Sequence, residues 1–158
     1  MKQFSIARRV TLLLSVALLT ACASGVKLDD VNGKGGTDYS SQPWNDPKSP
    51  LFKRSVYFDF DSYAVKSEYQ ATLQAHANYL KANKDRKIKI EGNTDERGTT
   101  EYNLALGQRR SEAVRKSLSL LGVPDSQMEA VSFGKEKPKA QGSNEAAWQE
   151  NRRADIAY

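Results

Sequence analysis

The sequence predicts one α/β layered domain, residues 51–158, in a βαβαβ…β order, preceded by a lead that is not part of the domain. Three observations predict it. Short stretches alternate polar and apolar residues as half-buried strands do: "VYFDFD" (Val56 to Asp61), "KIKIEG" (Lys87 to Gly92), "MEAVSF" (Met128 to Phe133) and the closing "ADIAY". Between them the apolar residues recur at helical spacing. Strands that alternate with helices stack as layers around one core.

Each element follows in turn. In "VYFDFD", Val56, Phe58 and Phe60 share one face, and Tyr57, Asp59 and Asp61 the other. Val65, Tyr69, Leu73, Ala77 and Leu80 predict a helix over 65–80. "KIKIEG" is the second strand. A long helix is predicted over 100–121, stopped by Gly122 with Pro124 just beyond. "MEAVSF" is the third strand, "NEAAWQENRR" a short helix or turn, and the final residues a fourth strand. No internal repeat is present.

Residues 1–21 read as a secretory signal. Lys2, Arg8 and Arg9 form its basic start, and Val10 to Ala21 is an apolar run too short to span a bilayer. "LTAC" (Leu19 to Cys22) resembles the lipobox of bacterial lipoproteins, which implies that Cys22 is acylated and becomes the mature N-terminus. The alternative is an ordinary signal cut that leaves a free thiol. Ala23 follows the cysteine, and by the same resemblance this implies an anchor in the inner leaflet of the outer membrane, with the domain in the periplasm. Residues 22–50 then form the acylated end and a tether; Ala23 to Pro50 is poor in apolar residues and rich in Gly and Pro, too little to offset ordering entropy.

Charge excludes one class of function. The chain has 24 Lys and Arg against 19 Asp and Glu, but three of the basic residues belong to the signal. The remaining 21 against 19 leave +2, alternating in sign along the chain, without the one-sided basic face that nucleic acid requires. One His and one Cys make no zinc constellation, and no metal or cofactor is expected.

The turn "EGNTDERGTTEYN" (Glu91 to Asn103) carries more charge than a turn and a helix cap need. Arg110, about three turns into the long helix, lies four residues from Leu106 and four from Val114, on the apolar stripe. A guanidinium there is costly unless paired. Asp61 and Asp95 are the candidate partners if the first two strands are neighbours in a parallel sheet, since their carboxyl ends then share one edge. The helix start, Thr99 to Glu101, favours an anion at that edge. The set suits a zwitterion, with an ammonium on Asp and a carboxylate on Arg. An internal Asp–Arg salt bridge with capping threonines fits the same residues.

The whole stretch from Val56 to Tyr158 resembles the outer-membrane-protein-A-like domain family, in its lipoprotein branch. Thr94, Asp95, Gly98, Tyr102, Asn103, Leu106 and Arg110 fall in register with the family's core motif. The resemblance implies a mixed four-stranded sheet packed with helices. It implies non-covalent binding of peptidoglycan through the meso-diaminopimelate of the stem peptide. Asp95 and Arg110 would hold its ammonium and carboxylate, and Phe60 and Asp61 would wall the site. Asn93 stands where many relatives have His, and keeps a donor and an acceptor. Arg97 and Leu106 complete the implied ligand set; Thr94, Gly98, Thr99 and Asn103 shape the turn and helix start. Asn151 and Arg152 are a possible rim. TolB and other Tol proteins are the implied protein partners.

Other residues read as structural. His76 falls on the inner side of its helix, Trp148 reads as packing, and Gly107 carries little meaning although Ser is common there in relatives. A hydrolase using Asp59, Asp61, Asp95 and Glu96 as paired carboxylates is the enzymatic alternative. Against it, no Ser–His or Cys–His set and no motif with catalytic spacing is present, and no catalytic residue is expected.

Overall fold

The computed structural model describes residues 42–158. The signal segment, Cys22 and the tether up to residue 41 lie outside the described residues. The strands are β1 (Ser55–Tyr57), β2 (Ile88–Asn93), β3 (Met128–Gly134) and β4 (Arg153–Ala157). The helices are α1 (Gln70–Ala82), α2 (Thr100–Leu120) and α3 (Glu145–Asn151).

The four strands form one mixed sheet in the order β1-β4-β2-β3. β4 runs antiparallel to both β1 and β2, while β2 and β3 are parallel. The first two strands are therefore not neighbours, as the sequence reading supposed: β4 lies between them. Because both oppose β4, they still end at the same edge, and β4 starts there. Arg152 and Arg153 thus enter between the ends of β1 and β2.

β1 is shorter than the alternation in "VYFDFD" predicts. Val56 and Phe58 enter the core, but the ladder closes with Phe58 N–H donating to the Arg152 carbonyl. Asp61 then takes a left-handed φ of 53°, and Phe60 is 62% exposed. The apolar period runs on past the strand because Phe60 has another task, described below. α1 likewise begins at Gln70, not at residue 65; Val65 and Tyr69 pack against the core from the segment before it.

The core lies between one face of the sheet and helices α1 and α2. Val56, Leu73, Ala77, Leu80, Ile88, Ile90, Val114, Leu118, Ala154 and Ile156 form it. α2 approaches the sheet with glycine against glycine. A Cβ on Gly92 would stand 1.8 Å from the Gly107 carbonyl oxygen, and one on Gly107 would stand 2.3 Å from Ser132 Oγ and 2.9 Å from the Gly92 carbonyl oxygen. Gly107 is thus a point of backbone contact, a role its sequence position did not suggest.

The ordered chain also starts earlier than residue 51. Trp44 is 7% exposed and stacks on Tyr158 with ring centroids 4.3 Å apart and planes 4° from parallel. Tyr79 meets Trp44 edge-on and Arg86 lies 5.0 Å over its ring. Aromatic burial of this kind offsets the ordering entropy that the composition of the lead could not, so the tether reading does not extend over 42–50. His76, fully buried, bridges the neighbourhood: Nε2 is 2.9 Å from the Lys53 carbonyl and Nδ1 2.7 Å from the Tyr158 hydroxyl. No helix among the described residues is long and apolar enough to cross a membrane.

Candidate ligand-binding site

The edge where β1 and β2 end and α2 begins holds a cavity of ≈ 230 Å³. Its lining brings together Phe60, Asp61, Thr94, Asp95, Arg97, Gly98, Asn103, Leu106 and Arg110 from the predicted set, and adds Tyr102. Gly98, at φ 93°, turns the chain from the strand end into the helix. Thr99 caps α2, its hydroxyl oxygen accepting from Tyr102 N–H at 3.2 Å. Asn103 donates to the Arg97 carbonyl at 2.9 Å and so ties the turn to the first turn of α2.

Arg110 is 0% exposed and stands at the back of this cavity. Its partner is neither of the two acids considered from sequence. Nε donates to the Ser62 carbonyl at 2.8 Å, Nη1 to the Asn93 carbonyl at 2.8 Å and Nη2 to the Asp59 carbonyl at 3.1 Å. The guanidinium therefore pins the loop after β1 to the end of β2. A guanidinium has five N–H groups, so these three bonds do not exhaust it. Among the described residues Arg110 forms no ion pair: Asp59 pairs with Lys66 at 2.7 Å, and Asp61 accepts the Tyr102 hydroxyl. Burial pulls its pKa down to about 10, against the attraction of Asp95. A buried cation without an anion is the costly arrangement, and such groups mark candidate sites.

Asp95, 4% exposed, is engaged instead by Arg97 and Arg152. Arg97 clasps it as a fork, Nε to Oδ1 at 3.1 Å and Nη2 to Oδ2 at 2.7 Å, and its backbone N–H reaches Oδ1 at 3.1 Å. Arg152 Nη1 adds a contact at 3.4 Å. Burial alone would raise the Asp95 carboxyl, but the Arg97 and Arg152 bonds outweigh it and hold it below the usual carboxylate range.

Arg97 is itself sandwiched between two aromatic faces. The Phe60 ring lies 4.2 Å and the Trp148 ring 4.1 Å from its guanidinium carbon. Trp148 Nε1 donates to Glu96 at 3.0 Å, which fixes the indole. Phe60 leaves the sheet to make this stack, and Trp148 is neither simple core packing nor isolated. A tryptophan fifty residues away in sequence gives no local sign of such a role.

Three predicted residues lie behind the cavity and do not line it. The Asn93 side chain is buried and donates to the Glu91 carbonyl at 2.9 Å; its carbonyl oxygen has no protein partner. Arg152 runs between Asp95, Glu145 (2.6 Å) and the Phe58 carbonyl. Asn151 accepts from Lys139 N–H and Ala140 N–H at 2.7 and 3.0 Å, and holds the loop before α3. The last two are thus the frame of the site and not its rim.

The lining carries two acids, Asp61 and Asp95, and two arginines, Arg97 and Arg110. The balance suits a ligand with charges of both signs, and the free anion position lies at Arg110.

The OmpA family model matches residues 57–152. The chain is 48% identical over 144 residues to the peptidoglycan-associated lipoprotein of Pasteurella multocida, covering 91% of this chain and 92% of the other. It is 45% identical over 152 residues to the peptidoglycan-associated lipoprotein of Haemophilus influenzae, with the same coverage. The crystal structure of the peptidoglycan-associated lipoprotein from Burkholderia pseudomallei superposes with a TM-score of 0.72 at 70% identity, over 74% of this chain and 99% of that one. The C-terminal domain of Helicobacter pylori MotB shares the fold at 23% identity, with a TM-score of 0.60 over 65% of this chain and 81% of that one.

Proposed function

The chain belongs to the OmpA family, and on that footing we propose that it is an outer-membrane lipoprotein that binds peptidoglycan without a covalent bond and links membrane to wall in the Tol–Pal system. The observation that carries the reading is Arg110, a fully buried guanidinium at the back of a cavity with no carboxylate of its own. The diaminopimelate of the stem peptide supplies one. Its side-chain carboxylate meets the unspent N–H groups of Arg110 in the dry interior, where a charge-assisted bond is strong. Its ammonium meets the acids opposite. Asp61, which among the described residues accepts a hydrogen bond only from Tyr102, takes it directly, and Asp95 takes it in exchange for part of the Arg97 fork. Phe60 and Leu106 cover the aliphatic stem that leads from the peptide to the carbon bearing both charges.

Asp95 argues against the hydrolytic alternative. Flanked by Arg97 and Arg152 and held ionised, it is a poor proton donor for glycan cleavage. TolB and the other Tol proteins fit this reading as partners at the same face, where Phe60, Tyr63, Tyr102 and Leu104 are exposed around the cavity and beside it in sequence. Saturating wall peptide then weakens TolB binding in a competition titration.

Calorimetric titration with two stem peptides tests the wall reading. The diaminopimelate peptide binds, and the peptide with lysine at that position, lacking the second carboxylate, binds about 10-fold or more weakly. Arg110→Lys, a point charge without the fork, loses the preference. Equal affinity for both peptides in the wild type overturns the assignment.

A further inference from the structure

The segment before residue 51 is held to the domain differently from everything after it. Its main-chain hydrogen bonds are local turns: Asn45 N–H to the Gln42 carbonyl at 2.9 Å, Ser49 N–H to Asp46 at 2.9 Å, and Phe52 N–H to Ser49 at 3.1 Å. The Asp46 side chain caps within the segment, accepting from Lys48 N–H, and Ser49 accepts from Leu51 N–H just beyond it. Its side-chain hold on the domain centres on Trp44, packed against Tyr158, Tyr79 and Arg86. From Lys53 onward the hold is main-chain. The Lys53 carbonyl meets His76, the Arg54 carbonyl accepts Ile156 N–H at 2.9 Å, and Ser55 to Tyr57 ladder onto β4.

The two attachments also sit at opposite ends of the sheet. Ala157, next to Tyr158, pairs with Lys89 near the start of β2, whereas the cavity opens beyond Asn93 at its end. On the reading that Cys22 is held in the membrane and the cavity holds the wall, any separation of the two layers pulls along β2 and β4. Strands pulled along their length load all their ladder bonds together, whereas side-chain contacts at the chain's entry are loaded in turn.

We propose that Gln42–Pro50 is a releasable strap: under tension between a membrane-held N-terminus and a wall-held cavity, Trp44 leaves the Tyr158 stack before any strand of the sheet parts. Released, the nine residues add about 30 Å of reach; docked, the 20 residues from Cys22 to Gln42 span at most about 70 Å. The lipoprotein thus has two working lengths. The Lys53–His76 contact and the β1 ladder stop the peeling at the domain boundary, so lengthening leaves the cavity intact.

Force spectroscopy on the mature chain, Cys22 to Tyr158, without acylation tests this. One handle goes on the Cys22 thiol and the other on Glu136→Cys, in the exposed loop after β3 at the cavity end. The wild type shows a reversible low-force step of about 30 Å or less, then a separate high-force unfolding event. Tyr158→Ala removes the low-force step and keeps the unfolding event; Tyr158→Phe, which keeps the stack, keeps the step. A single event that takes up the whole domain, or a low-force step unchanged in Tyr158→Ala, overturns the proposal. The step needs no ligand, so a failure of the wall-binding reading shows only in calorimetry and leaves this result standing.

Discussion

At the Asn93 end of β2 the fold buries Asp95, Arg110 and Arg152; beyond its Ile88 end it buries Trp44 and His76 and stacks Tyr158 on Trp44. Both ends contain ionisable groups out of water, but their accounts close differently. At the Ile88 end His76 has both ring nitrogens bonded, one of them to the Tyr158 hydroxyl, and its surroundings are aromatic rings with Arg86 over Trp44. At the Asn93 end Arg152 has two carboxylates, Asp95 and Glu145, while Arg110 has three carbonyls and no acid. One end is finished by folding alone. The other is left with a buried cation that has no carboxylate among the described residues. Counting buried charges would not separate them; asking what each charge is paired with does.

The sharpest way to break the contrast is to unbalance the finished part of the polar end. Arg152→Ala removes a buried side chain, its bond to the Phe58 carbonyl and one of the two cations at Asp95, while exposed Glu145 returns to water, and is expected to cost about 3 kcal/mol in chemical denaturation. A loss as small as a surface substitution gives would mean that Arg152 is not the frame described. Next in size is the glycine contact. Gly107→Ser places its Cβ against Ser132 Oγ and the Gly92 carbonyl, and is expected to cost about 1–3 kcal/mol. Pairing it with Ser132→Ala relieves the side-chain half of the clash and recovers part of the loss; no recovery in the double-mutant cycle would place the strain elsewhere.

The smallest effect separates the two ends by pH. His76 is held below its ordinary 6.5 by burial, so the unfolded chain takes up its proton first. The stability this represents is present above about pH 6.5 and is lost as pH falls through the folded value. Asp95 is held below its ordinary 3.8, so its contribution is present above that and is lost on further acidification. Stability against pH therefore declines in two stages, the upper from the aromatic end and the lower from the cavity end. His76→Gln, which keeps a donor and an acceptor, removes the upper stage in melts run from pH 7 to 3 and leaves the lower.

Much of this was legible in the chain. Period and stop signals placed α2 within a residue of its observed end, and the "NTDERGTTEYN" turn marked the cavity. What was not legible has physical reasons. Arg110 is satisfied by carbonyls, and a carbonyl has no signature in a sequence. Its neighbours Asp61 and Asp95 therefore looked like partners when they were engaged elsewhere. The insertion of β4 between β1 and β2 depends on pairing across nearly a hundred residues, which no local pattern encodes. Phe60 continued an apolar alternation for the sake of Arg97 and not of the core. Trp44 was hidden by the composition around it: a single ring with three partners outweighed a segment otherwise too polar to order.

The glycine-to-glycine contact between β2 and α2 has a consequence for what the site can measure. With Gly92 and Gly107 touching through main chain, α2 has no side-chain cushion there on which to roll or slide. Arg110 lies three residues further along the same helix, so its height above the end of β2 is set by covalent geometry. The turn that carries Asp95 and Arg97 leaves from the last residue of that strand. The gap between Arg110 and the Asp95 turn is therefore held by main chain, whereas Asp61 approaches from the separate loop after β1. On the proposed zwitterion reading, selection by such a site falls on how a ligand places its two charges as much as on their presence.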